Sequence, residues 1–114
     1  MRGYDKQVCE TYRHAVTIIG KRWTGLILLV LMDGPFRFNE LSAALRPVSD
    51  RVLSERLKEL EREGIVLRKV YAETPVRVEY NLTEKGQALG PVIEALEEWG
   101  QRWVNIIEEA TETK

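Results

Sequence analysis

The amino-acid sequence predicts a single domain of the α+β class that is mainly α-helical. Apolar residues recur at helical spacing through most of the chain, and one stretch, 65–82, has the residue pattern of two paired strands. A length of 114 residues suits one domain. The shares of hydrophobic residues, 44%, and charged residues, 31%, are those of a folded globular protein. We therefore expect one domain covering 1–114.

Two helices are predicted first. The first covers 9–19 and is ended by Gly20. The second starts with Thr24 as its N-cap and runs to Asp33-Gly34. Because this second helix is apolar almost all round, we expect it at the buried centre of the domain.

A short strand, a short helix and a longer helix follow. Phe36–Phe38 is long enough only for a strand stub, and Asn39–Leu45 predicts a short helix. Its inward-facing residues are expected to be Leu41, Ala44 and Leu45. After a turn at 46–48, the run SDRVLSERLKELEREG (49–64) begins with Ser49, a preferred N-cap, and ends at Gly64, which suits a left-handed closing residue. The predicted buried stripe of this helix consists of Leu53, Leu57 and Leu60.

The last part of the chain predicts a β-hairpin and a long helix. Strands over 65–71 and 76–82 flank a turn at Glu73–Pro75. Helix resumes at Thr83, is interrupted at Gly90-Pro91 and then extends to 110. Spacings of three and four, typical of a helix-packing seam, separate Leu89, Val92, Leu96, Trp99, Trp103 and Ile106.

A short helix, a tight turn, a longer helix and then a hairpin form the winged helix-turn-helix arrangement. The helix-turn-helix is expected over 39–63 and the wing over 65–82, with a long C-terminal helix after them.

The chain resembles regulators of the HxlR type, winged-helix transcription factors related to MarR. The matching motifs are IGKRWTGLILLVL (19–31), DGPFRFNEL (33–41), VSDRVLSERLKELEREGIVLR (48–68), VEYNLTEKG (78–86) and PVIEALEEWG (91–100). Two departures stand out. Family members usually have the sequence Gly-Gly-Lys-Trp at the position where residues 20–23 of this chain are Gly-Lys-Arg-Trp. They usually have Cys-Pro where this chain has Cys9-Glu10.

The polar face of the 49–64 helix is the predicted DNA-reading surface. Arg51, Glu55 and Lys58 lie opposite the leucine stripe, and Ser54 flanks them. Arginine can grip guanine in the major groove, and residues near the N-terminus of a recognition helix usually reach the bases. Base or phosphate contacts are expected from Ser49, Arg51, Val52, Ser54 and Glu55, and a backbone contact from Lys58. The alternative is a solvated helix face, and the acidic second half is expected to point away from DNA.

Beside the wing turn, Arg77 has two interpretations. The resemblance implies that it inserts into the adjacent minor groove, where narrow A·T-rich segments concentrate negative potential. The alternative is a strand arginine in a local ion pair. Arg68 and Lys69 point to opposite faces of their strand, so at most one of them is expected to face phosphate.

The resemblance also implies a homodimer in which helices 9–20 and 91–110 of two subunits pack about a two-fold axis. The predicted dimerisation residues are Leu96, Trp99, Trp103 and Ile106. The alternative is that this stripe belongs to the domain's own core. A two-fold dimer would place two recognition helices in successive major-groove turns, which predicts a pseudo-palindromic operator.

By resemblance, Cys9 is a candidate thiol switch, oxidised or alkylated by reactive electrophiles, so an oxidant or small-molecule effector is a predicted partner. Lys6, Arg13 and His14 are near enough in sequence to favour its thiolate. The alternative is a small buried hydrophobe. His14 is expected on the helix surface or at the dimer interface.

Charge and composition agree with a DNA-binding regulator and exclude other classes. Residues 21–77 carry eleven Lys/Arg against eight Asp/Glu, whereas 78–114 carry three against eight, although the net charge is −1. We find no export signal and no membrane-spanning run, and expect a cytoplasmic protein. One His, one Cys and no catalytic or metal-binding motif argue against an enzyme and predict no cofactor or metal.

These expectations combine into a homodimeric, sequence-specific regulator that binds double-stranded DNA. The alternative function is a winged-helix module that binds protein partners and not DNA.

Overall fold

The computed structural model describes residues 5–106, which form six helices and one antiparallel two-stranded sheet. In chain order the elements are α1 (Lys6–Ile19), α2 (Thr24–Leu31), α3 (Phe38–Ala44), α4 (Asp50–Arg62), β1 (Val66–Tyr71), β2 (Arg77–Leu82), α5 (Glu84–Gln87) and α6 (Gly90–Trp103). The mainly helical α+β class and the winged helix-turn-helix arrangement are confirmed, with a long C-terminal helix after the wing.

α1 and α2 differ from the prediction at their first residues. α1 begins at Lys6, because the Asp5 side chain caps it by accepting a hydrogen bond of 2.8 Å from the Val8 amide. The predicted N-cap of α2, Thr24, is wrong: Trp23 occupies the cap with φ +79°, and Thr24 is the buried first helical residue. The left-handed conformation of Trp23 turns the chain by 79° between the two helices, and its side chain packs against the core.

The core lies between α2, the helix-turn-helix and the base of the wing. Ile27, Leu28 and Leu31 of α2 are buried, which confirms α2 at the centre of the domain, although Leu26 on its outer side is 47% exposed. The predicted inward leucines of the helix-turn-helix are all confirmed as buried: Leu41, Leu45, Leu53, Leu57 and Leu60. The inward orientation expected for Ala44 is wrong, because this last residue of α3 is exposed.

The helix-turn-helix is joined directly to the sheet. α3 begins and ends one residue earlier than predicted, so Phe38 is helical and the strand stub shrinks to Phe36. Phe36 exchanges two backbone hydrogen bonds with Tyr80 of β2, at 3.1 and 2.8 Å. Ser49 caps α4 as predicted, accepting from the Val52 amide at 3.1 Å, and Gly64 closes α4 with φ +74°.

α5 fastens the end of α4 to the wing. Thr83 accepts a hydrogen bond from the Gly86 amide at 3.1 Å and donates one of 2.6 Å to the Gly64 carbonyl. A Cβ at Gly86 would clash with the Ile65 carbonyl oxygen, so glycine allows α5 to lie directly on the start of the hairpin.

α6 is shorter than predicted. The residue that anchors it in the core is also not one of the predicted helix-packing series. It ends at Trp103, because Val104 is extended with φ −102° and ψ 126°. Ile106 therefore lies beyond the helix, and the predicted continuation over 107–110 lies outside the described residues. Ile93, which the seam does not include, is the large side chain through which α6 enters the core, with 4% exposure.

Among residues 5–106 we find no single helix of the length and apolarity needed to cross a membrane. α1 and α2 meet that test only as a pair, and a 79° bend separates them.

Candidate nucleic-acid interface

The first half of α4 presents the predicted DNA-reading surface to solvent. The leucine stripe of α4 enters the core, which turns Arg51, Glu55 and Lys58 outward together. Ser54 is half-buried beside them, and Ser49 is exposed at the N-cap. Val52 packs half-buried against the core, so only part of its side chain is available. The structure thus brings these residues to one end of one helix, and their contact with DNA stays a prediction.

Arg51 is paired within its own helix. Its Nη1 donates to Glu55 Oε2 at 2.8 Å, one helical turn away, while the Arg51 side chain remains 76% exposed. Exposed helical pairs of this kind contribute about 0.3–0.5 kcal/mol. Exchange of Glu55 for a DNA acceptor would therefore cost little.

The acidic second half of α4 faces α1 and the loop after it. Glu59 accepts from Lys21 at 2.9 Å and from Arg56 at 3.5 Å, and Glu63 contacts the ring of His14 at 3.3 Å. The hydrogen bond from Lys21 is the main reason that the pKa of Glu59 is lowered from its ordinary value. These carboxylates are held on the α1 side of α4, and the orientation of the acidic run ELEREG away from DNA stays a prediction.

Arg56 was missed by sequence reasoning. It contributes to the same attachment, because its Nε donates to the Arg22 carbonyl oxygen at 3.0 Å. Its side chain is only 20% exposed, although its position on the helical wheel gave no sign of a partner. The partner lies 34 residues away in sequence, so no local pattern points to it.

On the wing, Arg77 is enclosed by neighbouring side chains. Its guanidinium carbon lies 3.9 Å from the centre of the Tyr71 ring, and its nitrogens donate to Glu79 at 2.8 Å and to Glu73 at 2.9 Å. The hydrogen bond to Glu73 is the largest cause of a raised Arg77 pKa. In the chain without DNA the local ion pair therefore describes Arg77, and minor-groove insertion stays a prediction.

Strand alternation could have identified the Arg77 cluster in advance. The register pairs Tyr71 with Arg77 and Lys69 with Glu79, so these four side chains share one face of the hairpin. Arg68 lies on the opposite face, and both Arg68 and Lys69 are exposed, as predicted.

The terminal helices expose apolar faces of the kind that a partner covers. On α6, Leu96 and Trp99 are each 58% exposed and Trp103 is 68% exposed, while Ile106 beyond it is 64% exposed. The alternative that this stripe fills the domain's own core is therefore wrong. α1 adds an aligned face at four-residue spacing, consisting of Val8, Tyr12 and Val16. Contiguous exposed apolar surface marks an interaction site.

Cys9 lies on the exposed surface of α1 with a free thiol, so the alternative of a buried hydrophobe is wrong. Of the three nearby bases, His14 contacts Glu63 across the gap to α4.

Within residues 5–106 no group of three or more His, Cys, Asp or Glu residues is arranged to hold a metal ion.

The fold and these surfaces define the class of protein. The chain combines a helix-turn-helix whose second helix is exposed, a β-hairpin wing and protruding terminal helices. This is a winged helix-turn-helix protein of the MarR-like type. Residues 18–108 match the model of the family described as HxlR-like helix-turn-helix. The chain belongs to this family. It is a helix-turn-helix transcriptional regulator, and the family and its relatives are regulators, not enzymes.

Two proteins of Bacillus subtilis (strain 168) are similar over most of their length. The uncharacterized HTH-type transcriptional regulator YvaP is 50% identical over 101 residues, which cover 89% of this chain and 94% of YvaP. The HTH-type transcriptional regulator YodB is 48% identical over 96 residues, covering 84% of this chain and 86% of YodB.

Solved structures of two regulators share the fold. The reduced form of YodB superposes with a TM-score of 0.73 at 48% identity, covering 82% of this chain and 91% of YodB. The reduced form of the redox regulator HypR superposes with a TM-score of 0.79 at 36% identity, covering 87% of this chain and 98% of HypR. YodB is also known in diamide-treated and quinone-bound forms, and HypR in an oxidized form.

Proposed function

We propose that this regulator acts as a homodimer that binds a pseudo-palindromic operator in double-stranded DNA. The observation that carries the proposal is the division of α4 into two halves. Its first half is capped by Ser49 and exposes Arg51 and Lys58, while its acidic second half is occupied by α1. Such a helix can enter the major groove by its N-terminal end without bringing Glu59 and Glu63 to the phosphates.

Each proposed contact has a separate task. Arg51, Ser54 and Glu55 read base edges, with a smaller apolar contact from Val52. Ser49 and Lys58 bind backbone phosphates, and these contacts position the helix without reading sequence. Arg77 reaches the minor groove from the wing. A regulator that binds DNA acts in the compartment that contains the DNA, and we therefore place this protein in the cytoplasm.

The exposed terminal helices support the proposed homodimer. Leu96, Trp99 and Trp103 of α6, with Ile106 beyond it, and the Val8–Tyr12–Val16 face of α1 supply apolar surface on the same protomer. Pairing of two copies about a two-fold axis would cover these faces and present two α4 helices to one side of the duplex.

We also propose that Cys9 makes DNA binding responsive to oxidants and electrophiles. The thiol is exposed on α1, and relatives of this chain are known in reduced, oxidized, diamide-treated and quinone-bound forms. The Cys9 thiolate can add to a quinone: one sulfur–carbon bond forms as a ring C=C π bond is broken, and the adduct takes up a proton and rearranges to a hydroquinone thioether. Because the chain has one cysteine, a protein disulfide requires Cys9 of two copies, which lose two electrons and two protons to an oxidant such as a diazene dicarboxamide.

Titrated DNA binding at several salt concentrations tests the DNA contact. Operator fragments are selected from a random library with the reduced protein and then measured by band shift. We expect Arg51→Ala to weaken specific binding by about 1–3 kcal/mol and to relax one position of the operator. Arg62→Ala is the matched control on the same face, three turns from the N-terminus, and should have little effect. Binding that is insensitive to salt, or that survives Arg51→Ala with Arg77→Ala, contradicts the proposal.

One observation favours a second function, a winged-helix module for protein partners. Both candidate reading arginines, Arg51 and Arg77, are neutralised by carboxylates in the free chain, and the net charge is −1. Failure of the library selection, with capture of one defined protein through α4, would support this function instead.

Cys9→Ser tests the sensor. We expect reduced Cys9→Ser to bind the operator like the unchanged protein, and to keep binding after treatment with diamide or a quinone. The unchanged protein should lose or change its affinity under the same treatment. Equal responses of the two proteins would remove Cys9 from the proposal and leave the DNA contact intact.

A further inference from the structure

The outer face of the wing carries a charged cluster that a simple DNA-contacting arginine does not explain. Lys69, Tyr71, Arg77 and Glu79 share this face through the strand register, and Glu73 joins them from the turn. The two cations and two carboxylates cancel each other. A surface of this kind does not attract DNA by charge alone.

The two carboxylates hold Arg77 in different ways. Glu79 Oε2 binds Nη1 at 2.8 Å and its side chain is 16% exposed, whereas Glu73 Oε2 binds Nη2 at 2.9 Å and its side chain is 51% exposed. Tyr71 supports the guanidinium from below, at 3.9 Å from the ring centre. Glu79 and Tyr71 thus hold the guanidinium on its less exposed side, and Glu73 is a solvent-facing partner in the turn.

A solvent-facing ion pair is readily exchanged, because water and salt already screen it. DNA presents acceptors to the same side of the wing in the proposed complex. One of these DNA acceptors can replace the Glu73 carboxylate on Nη2 while Glu79 and Tyr71 keep Arg77 in position. Glu73 then turns to solvent.

We infer that Glu73 sets the affinity of the wing for DNA. In the free protein the Glu73 carboxylate accepts a hydrogen bond from Nη2 of Arg77, and an acceptor on DNA replaces this carboxylate on binding. Glu79 and Tyr71 are positioning residues for Arg77. This inference rests on the proposed DNA-binding function, and it assigns to the wing turn a role that neither the family nor its relatives' names describe.

The test measures operator binding by Glu73→Gln, which keeps the side-chain shape and removes the competing charge. We expect about two- to fivefold tighter binding, the effect of one exposed ion pair. The plot of log affinity against log salt should steepen by up to about one unit, because Arg77 no longer exchanges one anion for another. In the Arg77→Ala background the gain should disappear. Glu84→Gln, an exposed acid after the hairpin and outside the cluster, is the control for a general loss of negative charge.

Three results would overturn the inference: no gain in Glu73→Gln, an equal gain in the Arg77→Ala background, or an equal gain in Glu84→Gln. Thermal unfolding of each variant shows whether the wing has been damaged, and Glu73→Asp, which keeps the charge, should bind like the unchanged protein. If the unchanged protein binds no DNA, the proposed function fails. If it binds and Glu73→Gln has no effect, only the role of Glu73 fails.

Discussion

Gly86 shows how a single residue fixes the position of α4 relative to the wing. It lies in the short α5, where any Cβ would meet the Ile65 carbonyl oxygen, a backbone atom that also accepts from Thr83. Ile65 joins the end of α4 to β1, so displacement of this carbonyl would move the recognition helix relative to the wing. The glycine is required for close approach, since its backbone does not need a positive φ.

We predict that Gly86→Ala lowers the free energy of unfolding by about 1–3 kcal/mol, the usual range for overpacking against atoms that cannot move aside. Urea unfolding at one fixed protein concentration measures this. Gly25→Ala in α2 is the control, because a Cβ there meets nothing within 4 Å and alanine favours helix. Its stability should be equal or higher. Equal stability of the Gly86→Ala variant would mean that α5 can shift away from the hairpin.

At the scale of the element, α4 has two functions along its length. Up to Lys58 it offers Arg51 and Lys58 to solvent. Its acidic end is joined to α1 by His14–Glu63 and to the loop after α1 by Lys21–Glu59. α1 has no buried residue, so these polar contacts contribute to its position over the body of the domain.

The Lys21–Glu59 pair should make stability dependent on pH. Because folding lowers the pKa of Glu59, the pair stabilises the fold fully above the ordinary pKa of 4.5, and this contribution is lost as the pH falls through the lower folded-state pKa. We predict that Glu59→Gln is less stable than the unchanged protein at neutral pH, and that the difference shrinks below pH 4.5.

Urea unfolding of both proteins from about pH 7 to about pH 3 measures this difference. In a Lys21→Met background the pH-dependent part of the Glu59→Gln effect should become smaller. A difference that stays constant over the whole pH range would show that the ion pair does not contribute through the charge of Glu59.

At the scale of the whole molecule, the described chain is elongated and flat, with principal extents of 59 × 48 × 22 Å. α6 enters the core through Ile93 and leaves its tryptophans outside. A monomer with Trp99 and Trp103 in water is costly, because full burial of one large apolar side chain contributes about 1.5–3 kcal/mol. The exposed terminal helices therefore support the proposed homodimer, while the proposed DNA contact lies on the central elements.

We predict that Trp103→Glu shifts the protein from dimer to monomer, because a charge would have to be buried between the paired helices. Sedimentation velocity over a range of protein concentrations measures the shift. Gln101→Glu introduces the same charge on the opposite side of α6 and should remain dimeric. A Trp103→Glu protein that stays dimeric would mean that the subunits pair through another surface.

Much of the fold could be predicted because its signals are local. The leucine stripe of α4, its Ser49 cap and Gly64 stop, and the alternation of the hairpin depend on residues within a few positions of one another, and all were found where expected. The polar face of α4 followed from the same periodicity. The MarR-like class and the HxlR-like family were also recognisable from the motifs alone.

Tertiary structure decided which residues meet across the chain. Glu63 is 49 positions from His14 and Glu59 is 38 from Lys21, so no periodicity reveals that the acidic half of α4 is joined to α1. The left-handed turn at Trp23 and the anchoring of α6 by Ile93 instead of its seam arise in the same way. The shared face of Arg77 and Glu79, by contrast, follows from strand alternation. The sequence by itself determined the elements and their apolar faces, because hydrophobic period and capping act within an element. Only the packed structure determined the ion pairs between elements, such as Lys21–Glu59 and His14–Glu63, because these depend on how separate elements are brought together.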